Sequence, residues 1–159
     1  MWGVVGKRPM NGESQRTIFV GKFTHVVDSK RRVAIPAKWR AAATGKNEFL
    51  VLPDPKNYLV VLPQPVVDKM LEKADDISIG EYQRRDTLRI LTSRGYSTPC
   101  DKQGRIVLTE LLLRHAGITT EAVLVGVLNK FEIWSPERYA EFERTAMQNV
   151  AEAARELGI

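Results

Sequence analysis

The sequence predicts an α+β fold in which two similar halves build one duplicated, barrel-like unit with flanking helices. Apolar runs of four or five residues, bounded by turn-forming or charged residues, are typical of short strands. Segments with apolar residues three and four positions apart are typical of amphipathic helices. The order of these segments in the first half of the chain recurs in the second half, which predicts a pseudo-twofold arrangement.

Composition places the chain among ordinary globular proteins. It has 159 residues, of which 43% are hydrophobic and 27% are charged, and it can bury a core without disulfides or metals. Its single cysteine, Cys100, cannot form an intrachain bridge. No stretch approaches the roughly 20 apolar residues of a membrane span, and the first residues do not follow the pattern of a secretory signal. We therefore expect a cytoplasmic protein without membrane contact.

Positive charge is concentrated near the beginning of the chain. Residues 1–60 contain 11 Lys and Arg against 4 Asp and Glu, whereas residues 61–159 contain 13 against 15. Between Lys22 and Lys46 there are seven bases and one acid. Such a patch is expected of a surface that binds nucleic acid phosphates, although basic patches are also common on solvated faces.

The first half reads as strands followed by helices. Residues 1–17 predict a flexible tail, and the runs FVGKF, THVV, RVAI, FLVL and YLVVL predict strands. The segment AKWRAAA, between Pro36 and Thr44-Gly45, predicts a short helix, because proline favours helix starts and glycine favours helix ends. Two amphipathic segments, VVDKMLEKADD and EYQRRDTLRILTS, then predict longer helices.

The second half repeats this order about 73 residues later. DKQGR at 101–105 corresponds to DSKRR at 28–32, and AVLVGV and KFEIW correspond to FLVL and YLVVL. Thr109 supplies an N-cap hydroxyl for the helix ELLLRHA, and Gly117 supplies its end. Ser135 caps a final long helix. We expect a first half at 18–92 and a second half at 93–159, paired about a pseudo-twofold axis in one shared sheet.

Each half carries an Asp-x-x-x-Arg loop between two strands. Three-residue hairpin loops commonly end in the left-handed conformation, which Gly104 adopts cheaply. Asp28 and Asp101 are placed to accept hydrogen bonds from loop N–H groups. Arg32 and Arg105 can either fork back to these carboxylates and close the turn, or reach outward to phosphate or guanine. Spacing alone leaves both alternatives open.

These motifs resemble those of a known family. The two Asp-x-x-x-Arg loops are followed by RVAIPAKWR in the first half and by RIVLTELLLRHAGI and VLVGVLNKFEIWSPERY in the second. Over about residues 18–150 the chain resembles the MraZ family, whose members are tandem duplications of the swapped-hairpin barrel half found in AbrB-like proteins. The resemblance implies a bacterial transcriptional regulator, associated with the nucleoid, that assembles into a ring. It also implies binding to direct repeats upstream of the division and cell-wall gene cluster, with repression of its own operon.

The resemblance also implies roles for individual residues. DNA reading falls on Arg32 with Lys30 beside it, and on Arg105 in the second loop, while Asp28 and Asp101 organise the loops with Gly104. Further contacts to DNA are expected from Arg31, Lys38, Arg40 and Lys102. Arg31 stands where the family usually has glycine, so the first loop is either strained, by roughly 1–2 kcal/mol, or shaped differently.

Other functions have weaker support in the sequence. His25, Asp28 and Ser29 lie on one short strand and loop, where alternation separates His25 from Asp28, so we expect no catalysis and no small-molecule substrate. Two isolated histidines and one cysteine do not supply a usual zinc site, and we expect no cofactor. The main alternative is an antitoxin-like module that binds another protein and contacts DNA only non-specifically. Trp39 and Trp134 are expected in the core or at a subunit interface.

Overall fold

The computed structural model describes residues 17–43 and 48–159. It has an α+β fold with antiparallel sheets, as predicted. The predicted tail, apart from Thr17, and the predicted helix end at Thr44-Gly45 lie outside the described residues. None of the helices in the described part combines the length and apolar character that a membrane span requires.

The strands divide between two sheets. They are β1 (Lys22–Val26), β2 (Arg32–Ala34), β3 (Phe49–Asp54), β4 (Tyr58–Leu62), β5 (Tyr96–Thr98), β6 (Arg105–Val107), β7 (Glu121–Gly126) and β8 (Phe131–Trp134). Six form a sheet of order β1-β7-β8-β4-β3-β5, and β2 pairs with β6 in a separate two-stranded sheet. The prediction of one shared sheet was wrong, because only an isolated bridge between Val27 and Val33 joins the end of β1 to β2.

Strands from the two halves of the chain are interleaved in the larger sheet. At one end β1 pairs with β7, at the other β5 pairs with β3, and β4 pairs with β8 in the middle. If β1–β4 are exchanged with β5–β8, the order becomes β5-β3-β4-β8-β7-β1, which is the same order read from the other edge of the sheet. Neither set of strands forms its sheet alone, so both halves contribute to one core.

The first two predicted strands form a single strand in the structure. FVGKF and THVV were expected as two strands, but the structure has the single strand β1, and Phe19 forms only an isolated bridge with Leu128. The reason is Gly21, whose φ of +111° is a conformation that side-chain-bearing residues rarely adopt. Gly21 therefore separates the isolated Phe19–Leu128 bridge from the regular pairing of β1 with β7.

The helical segments are a 3₁₀ helix at Ala37–Ala43, α1 (Gln64–Asp75), α2 (Tyr82–Ser93), α3 (Glu110–Ala116), α4 (Pro136–Ala146), a 3₁₀ turn at Met147–Asn149 and α5 (Val150–Glu156). Helices α1, α2, α3 and α4 contact strands of the larger sheet. The final helix was predicted to be continuous, but the 3₁₀ turn interrupts it.

Two short helices occupy equivalent positions 73 residues apart but differ in type. Trp39 N–H donates to the carbonyl of Pro36 at 2.9 Å, which is the spacing of a 3₁₀ helix. In α3, the Thr109 hydroxyl accepts from the N–H of Leu112 at 3.2 Å, and Gly117 ends the helix at a φ of +69°. Both predicted caps of α3 are confirmed.

Aromatic side chains fill the centre of the core. Phe131 lies 5.5 Å from Phe19, 4.8 Å from Trp39 and 5.4 Å from Phe49 between ring centroids, and Phe19 also contacts Trp39 and Phe49 at 5.6 and 6.5 Å. Trp39 is 1% exposed, and Trp134 is also buried, so the predicted burial of both is confirmed. The inner face of the two-stranded sheet packs on this core, because Val33 and Ile106 of that sheet are fully buried in it.

Candidate nucleic-acid interface

The β2–β6 ladder places the two Asp-x-x-x-Arg loops at its opposite ends. Val33 lies opposite Ile106 and both side chains point into the core, so the neighbouring positions face outward. Arg32 and Arg105 are diagonal partners on this outer face, with Cα atoms roughly 7–8 Å apart. Two sites separated by 73 positions in the sequence thus become one surface.

The first loop is built around the carboxylate of Asp28. Its Oδ1 accepts from the backbone N–H groups of Lys30 at 2.9 Å and Arg32 at 2.8 Å, and its Oδ2 accepts from Nε of Arg32 at 2.7 Å. Backbone hydrogen bonds link Asp28 to Arg31 and Arg32 as well. One side chain therefore organises the whole loop.

The second loop has the same hydrogen bonds. Oδ1 of Asp101 accepts from the N–H groups of Gln103 and Arg105, and Oδ2 accepts from Nε of Arg105, all at 2.9 Å. The carbonyl of Asp101 accepts from the N–H of Gly104 at 2.9 Å. Both Asp residues thus make the loop contacts that the sequence predicted.

Turn closure uses only part of each arginine. Nε of Arg32 and Nε of Arg105 bind the aspartates, whereas their terminal nitrogens form no hydrogen bond with the residues described by the structure. The two side chains are 29% and 26% exposed. The same guanidinium can close its turn and still bind a phosphate or a base, so the two alternatives left open by the spacing are compatible.

The loop geometry lowers the pKa of both aspartates. The backbone N–H of Arg32 is the main cause for Asp28, and the guanidinium of Arg32 and the N–H of Lys30 act in the same direction. At Asp101 partial burial raises the pKa, but the N–H and guanidinium of Arg105, together with the N–H of Gln103, outweigh it, and the pKa is lowered. Both carboxylates are therefore ionised at neutral pH.

The left-handed position of the loop is occupied by Arg31 in one half and Gly104 in the other. Gly104 has a φ of +80°, as predicted, and Arg31 has a φ of +63°. The first loop therefore keeps the shape of the second and carries the strain of a side chain in this region, about 1–2 kcal/mol.

Each loop is also tied to the opposite half of the chain. The carbonyl of Arg31 accepts from the N–H of Leu108 at 2.9 Å, and the carbonyl of Gly104 accepts from the N–H of Ile35 at 2.8 Å. These reciprocal bonds fix the two loops relative to each other.

The remaining predicted DNA-contact residues divide into two groups. Four are exposed: Lys30, Arg31 and Lys102 in the loops, and Lys38 on the 3₁₀ helix. Arg40 is half-buried, and its Nε donates to the carbonyl of Ile35 at 2.9 Å. Its guanidinium lies against Gly104, where a Cβ would be only 2.1 Å from Nε of Arg40.

Sequence reasoning missed the contact between Arg40 and the second loop. The repeat contained a signal for this contact, because Arg31 corresponds to Gly104 and Arg40 corresponds to Leu113. Where the second half has glycine in the loop, the first half has Arg40 on its short helix. Where the second half has leucine on its short helix, the first half has Arg31 in the loop. Arg31 and Leu113 line one shallow groove together with Arg114, whose guanidinium is paired with Glu110 at 2.8 Å.

The other chemically notable residues have structural contacts. Nε2 of His115 lies 2.7 Å from the carbonyl oxygen of Asp54, which ties α3 to β3. Cys100 packs against the core, and burial raises its pKa. Within 17–43 and 48–159, no group of three or more His, Cys, Asp and Glu residues is arranged to hold a metal ion.

Comparison with known proteins identifies similar chains. Residues 93–158 match a family model described as "MraZ protein, putative antitoxin-like". The chain is similar to three proteins named "Transcriptional regulator MraZ". That of Thermomicrobium roseum is 37% identical over 77% of this chain and 85% of its own. That of Herpetosiphon aurantiacus is 36% identical over 86% and 92%, and that of Clostridium acetobutylicum is 31% identical over 89% and 100%. These matches show that the chain belongs to the MraZ family.

Proposed function

We propose that this protein is a sequence-specific DNA-binding transcriptional regulator that catalyses no reaction. The observation that carries the proposal is the pair of Asp-x-x-x-Arg loops at the two ends of one outward-facing, two-stranded ribbon. The name of the similar proteins, transcriptional regulator, supports the same function. The protein would act in the cytoplasm, at the nucleoid.

The scaffold is, in our proposal, a duplicated swapped-hairpin barrel whose halves are 18–92 and 93–159. Two features support it. The strand order is symmetric between β1–β4 and β5–β8, and the bonds from Leu108 to Arg31 and from Ile35 to Gly104 are reciprocal. A pseudo-twofold protein suits a duplex, whose two strands are themselves related by approximate twofold symmetry.

The ribbon would enter the major groove, which is wide enough for two strands. Arg32 and Arg105 would use their terminal nitrogens on guanine or phosphate while Nε keeps each loop closed. The exposed amines and guanidinium of the surrounding residues would bind phosphates and fix the register of the protein. These residues are Lys30, Arg31, Lys38 and Lys102.

Regulation would depend on several subunits acting together. We propose that a ring of subunits binds direct repeats upstream of the operon in the division and cell-wall cluster that contains its own gene, and represses it. Each subunit contributes weakly and the linked contacts add, so repeat number and spacing govern affinity. Changing the spacing by half a helical turn should therefore weaken binding strongly, and unchanged affinity would contradict this mechanism.

The test is equilibrium binding to two duplexes across a salt series. One duplex carries the DNA upstream of the gene, and the other is a shuffled sequence of equal composition. We expect preference for the upstream DNA, loss of that preference in Arg32→Ala and Arg105→Ala, and its retention in Arg89→Ala. Arg89 is a matched control, because it is an exposed arginine paired with Asp86 on α2, outside both loops.

A second candidate function follows from the antitoxin-like description of the family model. A protein-interaction module with only electrostatic DNA affinity would bind both duplexes equally and lose both together as salt rises. That result would favour the second candidate over the regulator.

A further inference from the structure

Arg40 has an unusual position for a surface arginine. It belongs to the 3₁₀ helix of the first half, but its guanidinium packs on the loop of the second half. A Cβ on Gly104 would lie 2.1 Å from Nε and 2.2 Å from Cζ of Arg40, so the guanidinium occupies the space that a side chain at 104 would need.

Three groups form a closed network at this point. The N–H of Ile35 donates to the carbonyl of Gly104 at 2.8 Å, and the carbonyl of Ile35 accepts from Nε of Arg40 at 2.9 Å. The guanidinium of Arg40 also packs on Gly104, which closes the network. The left-handed residue of the second loop is therefore held by a hydrogen bond on its carbonyl and by packing on its Cα.

Within the described residues, the first loop has no such network. The bond from Leu108 N–H to the carbonyl of Arg31 corresponds to the Ile35–Gly104 bond, but the residue in the place of Arg40 is Leu113. Leucine has no donor for the carbonyl of Leu108, and Arg31 already carries a side chain at the left-handed position. The network is specific to the second loop.

The same helix offers a clear contrast with a phosphate contact. Lys38 is exposed, whereas Arg40 is half-buried with Nε already engaged. We propose that Arg40 is a positioning residue that fixes the second loop, and with it Lys102 and Arg105, so that DNA recognition by the second half depends on a side chain of the first half. This inference rests on the proposed DNA-binding function.

Amide hydrogen exchange tests the positioning without DNA. Arg40→Ala removes the network, and Arg40→Lys keeps the charge but loses Nε and the planar group. In both variants we expect exchange at Gln103, Gly104 and Arg105 to become about 10-fold faster, in keeping with the loss of one hydrogen bond and its packing. Lys38→Ala should leave these amides unchanged, and the amides of Lys30, Arg31 and Arg32 serve as an internal control in every variant.

DNA binding supplies the second readout, with the upstream and shuffled duplexes across a salt series. The salt slope is the change in log K of binding with log salt concentration. Arg40→Ala and Arg40→Lys should weaken binding to the upstream duplex equally, by about 10-fold, although Arg40→Lys keeps the charge. Lys38→Ala should lower that slope by about one, as expected when one phosphate contact is lost. A slope lowered by one in Arg40→Ala, with unchanged exchange, would overturn the proposal and make Arg40 a phosphate contact.

Two further results would also overturn it: wild-type behaviour of Arg40→Lys, or equally accelerated exchange in both loops, which would indicate general destabilisation. If the wild-type protein binds the two duplexes equally, the proposed function fails. The exchange data would still decide whether Arg40 holds the second loop.

Discussion

The loops at 28–32 and 101–105 have the same backbone shape and the same hydrogen bonds, but different residues at the left-handed position. Arg31 stands in one and Gly104 in the other, with φ values of +63° and +80°. The comparison indicates that the aspartate carboxylate, rather than glycine, imposes the shape. Glycine determines instead how much strain the loop carries and what can pack over it.

The residues that cover the two loops differ accordingly. Arg40 lies on the second loop and cannot be accommodated beside a Cβ at 104, whereas Arg31 lines a groove together with Leu113. In the first loop the arginine is the left-handed residue itself, Arg31. In the second loop it is Arg40 of the 3₁₀ helix, which packs on the left-handed Gly104.

The largest expected effect is that of Gly104→Ala. Alanine at position 104 would have to adopt a left-handed conformation, and its Cβ would displace the guanidinium of Arg40. We therefore expect a loss of roughly 2–3 kcal/mol in the free energy of unfolding. Urea denaturation at fixed protein concentration measures it. Arg31→Ala is the matched control. A Cβ is already present at position 31, so apart from the contacts of the arginine side chain this change should alter the free energy of unfolding by less than about 0.5 kcal/mol. Equal losses at 31 and 104 would contradict the comparison.

The next effect is that of Asp101→Ala. Three N–H donors lose their acceptor, and we expect a loss of about 1–2 kcal/mol at neutral pH. Asp28→Ala should behave similarly, because its three bonds are equivalent. Urea denaturation of both variants measures these losses, and a large difference between them would show that the two carboxylates are not equivalent.

Acidification should reproduce this loss in the wild-type protein. The folded-state pKa of Asp28 and of Asp101 lies below the ordinary 3.8, so the stabilisation is complete above that value and disappears as the pH falls through the lowered pKa. The difference in stability between wild type and Asp101→Ala, measured by urea denaturation, should be full at pH 7 and shrink below pH 3.8. A difference that is constant with pH would mean that ionisation does not matter in the loop.

A smaller effect tests the helices that follow the loops. Thr109→Ala removes the cap of α3 and should cost about 1 kcal/mol, whereas Thr109→Ser keeps the hydroxyl and should cost much less. Thermal denaturation of both variants distinguishes them. If serine does not rescue stability, the hydroxyl bond to Leu112 is not what starts this helix.

The smallest effect is a gain. Arg31→Gly removes the left-handed side chain and should stabilise the protein by about 0.5 kcal/mol, because glycine relieves the strain but costs entropy in the unfolded chain. Lys30→Ala removes the same charge without changing the left-handed position, so urea denaturation should show no such gain. A loss of stability in Arg31→Gly would mean that contacts of the arginine outweigh its strain.

Much of the candidate site could be predicted from the sequence, because the hydrogen bonds within each loop join residues no more than four positions apart. The Asp-x-x-x-Arg spacing was sufficient for the roles of Asp28 and Asp101 in loop closure and for the left-handed Gly104. The DNA contacts of Arg32 and Arg105 remain predictions. The separate β2–β6 sheet was not predicted, because strand pairing depends on neighbours far away in the sequence. The single strand β1 in place of FVGKF and THVV, and the interruption of the last helix, were not predicted either.

The sequence by itself therefore determined the local chemistry of this protein: the two loops, the cap at Thr109 and the 73-residue repeat that relates the halves. These follow from short-range geometry, which is the same wherever the segment lies. Only the tertiary structure decided that β1 pairs with β7 and that Arg40 covers Gly104. Such contacts join positions many residues apart, and they form because burying one common core requires the strands of both halves to interleave.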